Sequence, residues 1–506
     1  MTGYDVIVIG AGHNGLVAAA YLAKAGKNVL VLERRDLPGG TLVTEEFDGF
    51  RAEMLNSGTL RPEIIKALDL PRFGAKLLPA SANSAYVSLL SDSDHLVISD
   101  DPVETAASIL RYSAKDAARW PEFLAFMSGA TSFLSSAYRT LMPRLPNPEF
   151  FAEGRELVQL GLKLRSAGRQ EMLNIIRTLP MTAAEFVEEW FESEQLKAAV
   201  ASLGIHNVTL GVMSAGTTFN LIHNWLNRGG IAHKYIGQAE NITNALVNAV
   251  KAYGAEIRLA AEVEKIRVED GQAAGVTLSS GEEIAAKTIL SCVDPKRTFL
   301  TLVGPLALPP IFVWNVQSIK MRGSTAKIHL GVKSLPEGLS PFRTYVIAPS
   351  LEYLEKAYDA AKYGEISERP YLEVTTTESV VSVHFQFAPY ALKHGNWSEK
   401  RGTLEDLAIN ILAEHFPDLR STIIARRTIT PSDLESNYAL TEGDLNHGQI
   451  MLDQSLFMRP IPGWSDHKTP IQKLYLGGGG VHGGGGISGV VGRNAARVLL
   501  KENKRA

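Results

Sequence analysis

Tyr4-Asp5-Val6-Ile7-Val8-Ile9-Gly10-Ala11-Gly12-His13-Asn14-Gly15 reads as a buried strand running into a glycine turn. Its continuous, β-branched apolar run suits a strand covered on both faces. Residues 16–25 have the Ala/Leu composition of a helix, and Gly26 is placed to end it. Residues 28–32 form a second apolar strand, which Glu33 closes. In the G-x-G-x-x-G pattern, Gly10 permits the tight turn and Gly12 lets backbone N–H groups approach a pyrophosphate. Gly15 lets the helix pack close to the strand. The helix N-terminus adds unpaired N–H groups and a positive dipole end, so His13 and Asn14 fall at the phosphates. Glu33, about 20 residues on, is placed to accept hydrogen bonds from a ribose 2′-OH. It would repel a 2′-phosphate, which argues against NADP. Strand, helix, second strand and acid in this order predict a dinucleotide site rather than a glycine turn that merely packs a helix.

Arg34, Arg35, Asp36, Leu37, Pro38, Gly39, Gly40 and Thr41 follow. An acid, a basic residue, a short spacer and a Gly-Gly pair resemble the second FAD-contacting stretch of flavoprotein oxidases and desaturases. That resemblance implies FAD rather than NAD, with Arg34, Gly39, Gly40 and Thr41 at the cofactor. Residues 47–62 would continue towards the flavin. There Asn56-Ser57-Gly58 offers either small groups beside the ring, Ser57 among them, or a plain turn.

The bulk numbers set limits. A chain of 506 residues is too long for one simple core, and two interleaved domains are the prior. With 51 basic and 54 acidic residues the net charge is −3, which gives no support to nucleic-acid binding. Cys292 is the only cysteine, so neither an internal disulfide nor a redox dithiol can form. A reducing, cytoplasmic setting and a buried structural thiol are expected. No signal peptide is read at the N-terminus, and no apolar stretch reaches the length of a bilayer span. Residues 133–145 and 150–164 mix apolar groups with Arg and Lys, which leaves peripheral membrane contact open.

Residues 1–75, 231–299 and 441–506 are expected to assemble one dinucleotide-binding domain from discontinuous segments. Residues 76–230 and 300–440 make the second domain, facing the substrate. Residues 102–190 are patterned as helices. Phe123, Phe126, Met127, Phe133, Leu134 and Leu141 supply either core packing or the lining of an apolar cavity. In the first domain, residues 242–253 read as an amphipathic helix ended by Gly254, with strands at 255–259, 263–268, 275–278 and 288–291. Further strands are read at 326–332 and 379–387, and helices at 351–362 and 404–416.

Near the C-terminus, Leu474-Tyr475-Leu476 feeds the run Gly477 to Gly480, then Val481-His482, Gly483 to Gly486 and Ile487-Ser488-Gly489, before a helical pattern. So many glycines lose much entropy on folding, and a ligand pressed against the loop would explain that cost. Gly478, Gly479, Gly480, Gly486, Ile487 and Ser488 are the expected contacts. This cluster, with Gly492-Arg493-Asn494-Ala495-Ala496, is one of four matching stretches. Another is Gly10 to Leu16. A third is Thr430-Pro431-Ser432-Asp433-Leu434-Glu435. The fourth is Gly443-Asp444-Leu445-Asn446-His447-Gly448 with Leu452-Asp453-Gln454 and Arg459-Pro460.

Together the four resemble the phytoene desaturase-like FAD oxidoreductases, in the branch called pyridine nucleotide-disulfide oxidoreductase domain-containing protein 2. The resemblance spans nearly the whole chain. It implies an α/β fold: a Rossmann-type FAD-binding domain with a mixed sheet-and-helix, α+β substrate domain. It also places Val263 against the adenine through its backbone. The branch's name misleads for this chain, which has neither a second G-x-G-x-x-G nor a cysteine pair. The chemistry implied is hydride removal from an apolar or aromatic small molecule to flavin N5, with oxygen, a quinone or another acceptor taking the electrons. His482, kept in the cofactor loop, is the first candidate for a catalytic imidazole; a hydrogen bond to loop backbone is its other reading. His447, Gln386, Tyr390, His206, His223 and Trp225 rank below it, and no metal-ligand spacing stands out. An FAD amine oxidase or non-redox flavin isomerase, and a flavin-binding interaction protein without turnover, are the competing readings. Substrate, acceptor and oligomeric state are not legible.

Overall fold

The computed structural model describes residues 3–54, 58, 60–76, 85–90, 94–144, 154–166, 168–232 and 239–502. The fold is α/β and is built on two large sheets. The first has five parallel strands in the order Leu474–Leu476, Ile289–Ser291, Val6–Ile9, Val29–Leu32 and Glu256–Arg258. Val6–Ile9 lies at the centre and is buried throughout, as its composition requires. Strands from three distant parts of the chain therefore close one sheet.

On one face, Val6, Val8, Val29 and Val31 pack under the helix His13–Lys24. That helix touches both Ala239–Ala252 and the C-terminal helix Val490–Glu502. A Cβ on Gly492 would lie 2.1 Å from the Asn14 carbonyl oxygen, so only glycine lets these two helices meet. On the other face, Ile7, Ile9, Leu30 and Leu32 pack against the three-stranded antiparallel sheet of Val263–Glu269, Gln272–Leu278 and Glu283–Ala285.

The second sheet has seven strands: Ile423–Ile429, Thr325–Val332, Val380–Gln386, Leu372–Thr376, Thr344–Ile347, Ala85–Leu89 and His95–Ser99. It is antiparallel except where Thr344–Ile347 pairs with Ala85–Leu89. Ala326, Ile328, Leu330 and Val332 point to the helix Trp397–His415, giving one dry face. That helix starts well before the expected residue 404, because Asn396 caps it by accepting from the Glu399 N–H. The hairpin Thr44–Phe47 and Phe50–Glu53 leans across to this sheet, where Phe47 and Ala52 pack with Val380 and Ala425. Phe123 sits among Trp120, Phe186, Phe191 and Trp225 under the helical layer. Phe123, Phe126, Met127, Phe133 and Leu134 thus belong to the core, and neither they nor Leu141 line the cavity described next.

Candidate functional site

A cavity with about 1260 Å³ of free space, its mouth included, opens where the two glycine-rich loops converge. The first loop leaves Val6–Ile9 through Gly10, at φ +97°, which a side chain would strain. Gly12 caps the helix with no side-chain hydrogen bond, so its first-turn N–H groups are left for a ligand. A Cβ on Gly15 would lie 2.0 Å from the Gly10 carbonyl oxygen. The missing side chain there serves packing of helix on strand.

The wall contains most of the expected contacts: Gly10, Gly12, His13, Asn14, Gly15, Glu33, Arg34, Gly39, Gly40, Thr41, Val263, Gly479, Gly486 and Ile487. Glu33 has work besides any ribose. Its carboxylate accepts from the Ala11 N–H at 2.8 Å and the Arg35 N–H at 3.0 Å, stapling the first loop to the end of the second strand. Arg34 donates to the Ser436 and Asn437 carbonyls. Gly39 donates its N–H to the Ala11 carbonyl at 2.9 Å, and a Cβ on Gly40 would come within 3.2 Å of Gly12 Cα. The Gly-Gly pair therefore packs backbone on backbone against the first loop.

Gly478, Gly480, Ser488 and His482 stand off the wall. A Cβ on Gly478 would lie 2.5 Å from the Cys292 carbonyl oxygen, and one on Gly480 2.4 Å from Pro295 Cδ. Those glycines seat the C-terminal loop on residues 292–295 rather than on a ligand. Ser488 accepts from the Arg61 N–H through its carbonyl and caps the Val490 N–H with its hydroxyl. His482 is fully buried, and its Nε2 donates to the Ala137 carbonyl at 3.0 Å. Burial lowers its pKa, so the ring is neutral and packed instead of poised over a cavity. Ser57 and its neighbour Asn56 lie outside the described residues. Cys292 does reach the wall, but burial pushes its thiol up, far from the thiolate form.

No signal in the sequence marked the wall residues Asn207, Arg297 and Tyr438, whereas Leu445 and Gly485 lie inside its quoted motifs without being singled out. His447, a weaker sequence candidate, is in the wall and adopts left-handed backbone, φ +57°. The turn that holds it is built by its own stretch. Asp444, its pKa raised by burial to about 6, accepts from the Asn446 and Arg322 N–H groups. Arg459 donates to the carbonyls of Asn446, Gly448, Gln449, Gln454 and Gly479, which ties this turn to the C-terminal glycine loop. His447 Nδ1 and His13 Nε2 are buried without a partner among the described residues. Burial, with repulsion from His447, lowers the His13 pKa to about 4. Two neutral imidazoles thus present unfilled nitrogens beside unpaired helix N–H groups. That donor set suits a diphosphate-linked dinucleotide with polar rings.

Beneath the glycine loop lies a polar layer from the buried helix Thr217–Arg228. Asn227 Nδ2 donates to His223 Nε2 at 2.9 Å and to the Gly485 carbonyl at 3.3 Å. The remaining His223 proton therefore sits on Nδ1, 2.7 Å from the Tyr138 hydroxyl. A Cβ on Gly485 would lie 2.7 Å from His223 Nε2, so this side of the loop is glycine for contact with protein. Of the other weaker candidates, His206 and Gln386 sit one layer behind Asn207. Tyr390 hydrogen-bonds Glu435, and Trp225 is core.

Comparison with known proteins agrees with this geometry. Residues 15–500 match the model of the flavin containing amine oxidoreductase family. Pyridine nucleotide-disulfide oxidoreductase domain-containing protein 2 of Rattus norvegicus is 33% identical over 99% of this chain and 94% of its own. One of the chains of limonene dehydrogenase from Castellaniella defragrans is 28% identical over 98% of this chain and 94% of its own. The solved structure of putrescine oxidase with putrescine bound superposes with a TM-score of 0.61 at 15% identity, covering 99% of each chain.

Proposed function

This chain belongs to the flavin containing amine oxidoreductase family and is an FAD-dependent oxidoreductase; from that premise we propose that it works as a dehydrogenase or desaturase. Its substrate is a small molecule with an apolar or aromatic body. Electrons leave to oxygen, a quinone or another acceptor. The observation that carries this reading is the convergence of both glycine loops, the uncapped helix N-terminus and two unfilled imidazole nitrogens on one cavity. The relative named for limonene dehydrogenation supports the same direction.

FAD, when bound, supplies the hydride-accepting N5. The chain's residues do the rest. Gly12, His13, Asn14 and Gly15 would hold the diphosphate through backbone N–H groups. Glu33 retains lone pairs that would accept from a ribose hydroxyl, Arg34 would close that end, and the Val263 backbone would face the adenine. Gly39, Gly40, Thr41, Gly479, Gly486 and Ile487 would line the rest of the cofactor's path. His482 is reassigned to packing. His447 takes its place as the imidazole able to hold or accept a proton within the cavity. Asn207, Leu445 and Asn446 form the wall shared with the seven-stranded sheet. We take 1–75, 231–299 and 441–506 as the cofactor domain and the remainder as the substrate domain, with the hairpin at 44–53 bridging them.

Among the described residues, no helix is long and apolar enough to cross a membrane. Val158, Leu162, Leu173 and Ile176 are exposed beside Lys163, Arg165 and Arg169, and they support peripheral contact with a lipid surface. A reducing, cytoplasmic setting remains the reading of the single thiol. Anaerobic titration with polyenes, alicyclic and aromatic alcohols and amines tests the reaction. Bleaching by a hydrocarbon or alcohol, reversed by air or a quinone, is expected. Bleaching by amines alone would transfer the chain to the amine oxidases. None with any class would reject hydride removal.

A further inference from the structure

The seven-stranded sheet has one dry face, and its other face carries charge. Pairing sets Lys327 opposite His384, and His384 opposite Glu373, so three neighbouring strands present these side chains in one row. All three are buried. Arg228, the last residue of the helix Thr217–Arg228, comes down onto this row and is 1% exposed. Its Nη1 donates to Glu373 Oε2 at 2.8 Å. The Tyr371 hydroxyl reaches the same carboxylate oxygen at 3.4 Å.

Two features are left over. Arg228 Nε and Nη2 are buried with no acceptor among the described residues. These two nitrogens share one edge of the guanidinium and form the side-on fork that takes both oxygens of a carboxylate. The second is charge. Arg228 and Lys327 are two cations facing one carboxylate. Burial, opposed by Glu373, brings the Lys327 ammonium down to about 8, which leaves it protonated at neutral pH. Burial works against the Glu373 carboxylate, yet Arg228 holds it at about 2. Burial lowers the pKa of His384 well below its usual range, and that of the Tyr371 hydroxyl is raised well above, so both are neutral. His329 and Tyr86 are neutral too, and Arg427 adds no compensating charge. An unpaired buried cation is costly, and one monoanion would neutralise it.

The cluster lies behind the cavity wall, one side chain beyond Gln386. His384 Nε2 donates to Gln386 Oε1 at 3.0 Å, and the same oxygen accepts the Asn207 N–H at 3.1 Å. Asn207 is in the cavity wall.

We propose that Arg228 and Lys327 form an anion-recognition subsite on the inner face of the seven-stranded sheet, which takes the carboxylate of the substrate. The substrate class narrows to an apolar or aromatic body bearing one carboxylate. This rests on reading the cavity on the far side of Gln386 and Asn207 as the redox site. A phosphate monoester, with close to two charges, would overshoot the single excess cation.

The test uses the flavin-loaded full chain. Benzoate and decanoate are titrated against benzamide and decanamide, and binding is read by heat stability and by shifts of the flavin absorption bands. The acids are expected to raise the melting temperature in a saturable way, and the amides are not. Arg228→Lys keeps the charge and loses the fork, so it should weaken acid binding at least about tenfold. Lys327→Met leaves the Arg228–Glu373 pair intact; it should raise the ligand-free melting temperature and weaken acid binding. This second variant decides the matter if Arg228→Lys does not fold. Acids and amides behaving alike, or acid binding unchanged in Lys327→Met, would overturn the subsite. Heat stability reads binding without turnover. Acids that bind through the fork but never lead to flavin bleaching keep the subsite and reject only hydride removal.

Discussion

Gly15 has no room for a methyl group, because the Gly10 carbonyl oxygen occupies the place a Cβ would take. Gly15→Ala is expected to cost about 1–3 kcal/mol of stability through forced separation of helix and strand. It should also yield protein with little bound flavin; urea unfolding and the ratio of flavin to protein absorbance check both. His482 makes the opposite case. Its Nε2 is spent on the Ala137 carbonyl. His482→Gln should lower stability by about 1–3 kcal/mol and leave the rate of substrate-driven flavin reduction, and its pH profile, unchanged. A lost or shifted pH profile in stopped-flow reduction would return His482 to the chemistry. Residue identity could not separate these roles. A histidine in a glycine loop looks the same in sequence whether its ring turns to the ligand or to the helix behind.

At the scale of elements, the turn at 443–448 and the C-terminal loop are held as one unit by Arg459. Arg459→Met removes the donors of five backbone carbonyls and should weaken FAD binding at least about tenfold, read by flavin fluorescence quenching. Unaltered affinity would mean that the two loops keep their shape independently. The first strand, turn and helix were legible because hydrophobic run, glycine spacing and closing acid all agree locally. The strands Thr344–Ile347, Leu372–Thr376 and Ile423–Ile429 were not. The first two are short, and their Thr344, Glu373 and Thr375 point to the charged inner face that only the assembled sheet creates; the third is an edge strand of seven residues whose Arg426 and Thr428 turn to Glu405 of the covering helix. For the same reason the glycine cluster announced a close approach without saying to what. Gly479, Gly485 and Gly486 all reach the cavity wall, yet Gly485 and Gly486 also make room for His223 and Asn227, while Gly478 and Gly480 make room only for Cys292 and Pro295 and their neighbours.

Across the whole molecule, buried neutral histidines couple stability to pH. Burial lowers His223 and His329 to about 3 and His467 to about 4. Each folded pKa lies below the unfolded value of about 6.5, so the unfolded chain binds protons first as pH falls. Their stabilising contribution is complete above that value. It drains away on acidification, by about 2 kcal/mol for each ring at pH 5. Glu373, held at about 2, adds its own loss only below the ordinary carboxylate range of about 4.5. Calorimetry of the flavin-loaded chain from pH 8 to pH 5 should show the melting temperature level at first and then falling below about 6.5. A flat profile would mean that these rings reach water. At this scale the sequence carried the cofactor half of the molecule better than the substrate half. The cofactor half repeats one local device at both ends of the chain. The substrate half depends on Arg228, Lys327 and Glu373 meeting from residues far apart in sequence.

The absorption spectrum of the purified chain, before and after incubation with FAD and removal of the excess, is the most direct measurement. Stoichiometric flavin bands, lost in Gly15→Ala, are expected. A colourless protein that gains no flavin bands from added FAD would contradict the cofactor site and everything built on it.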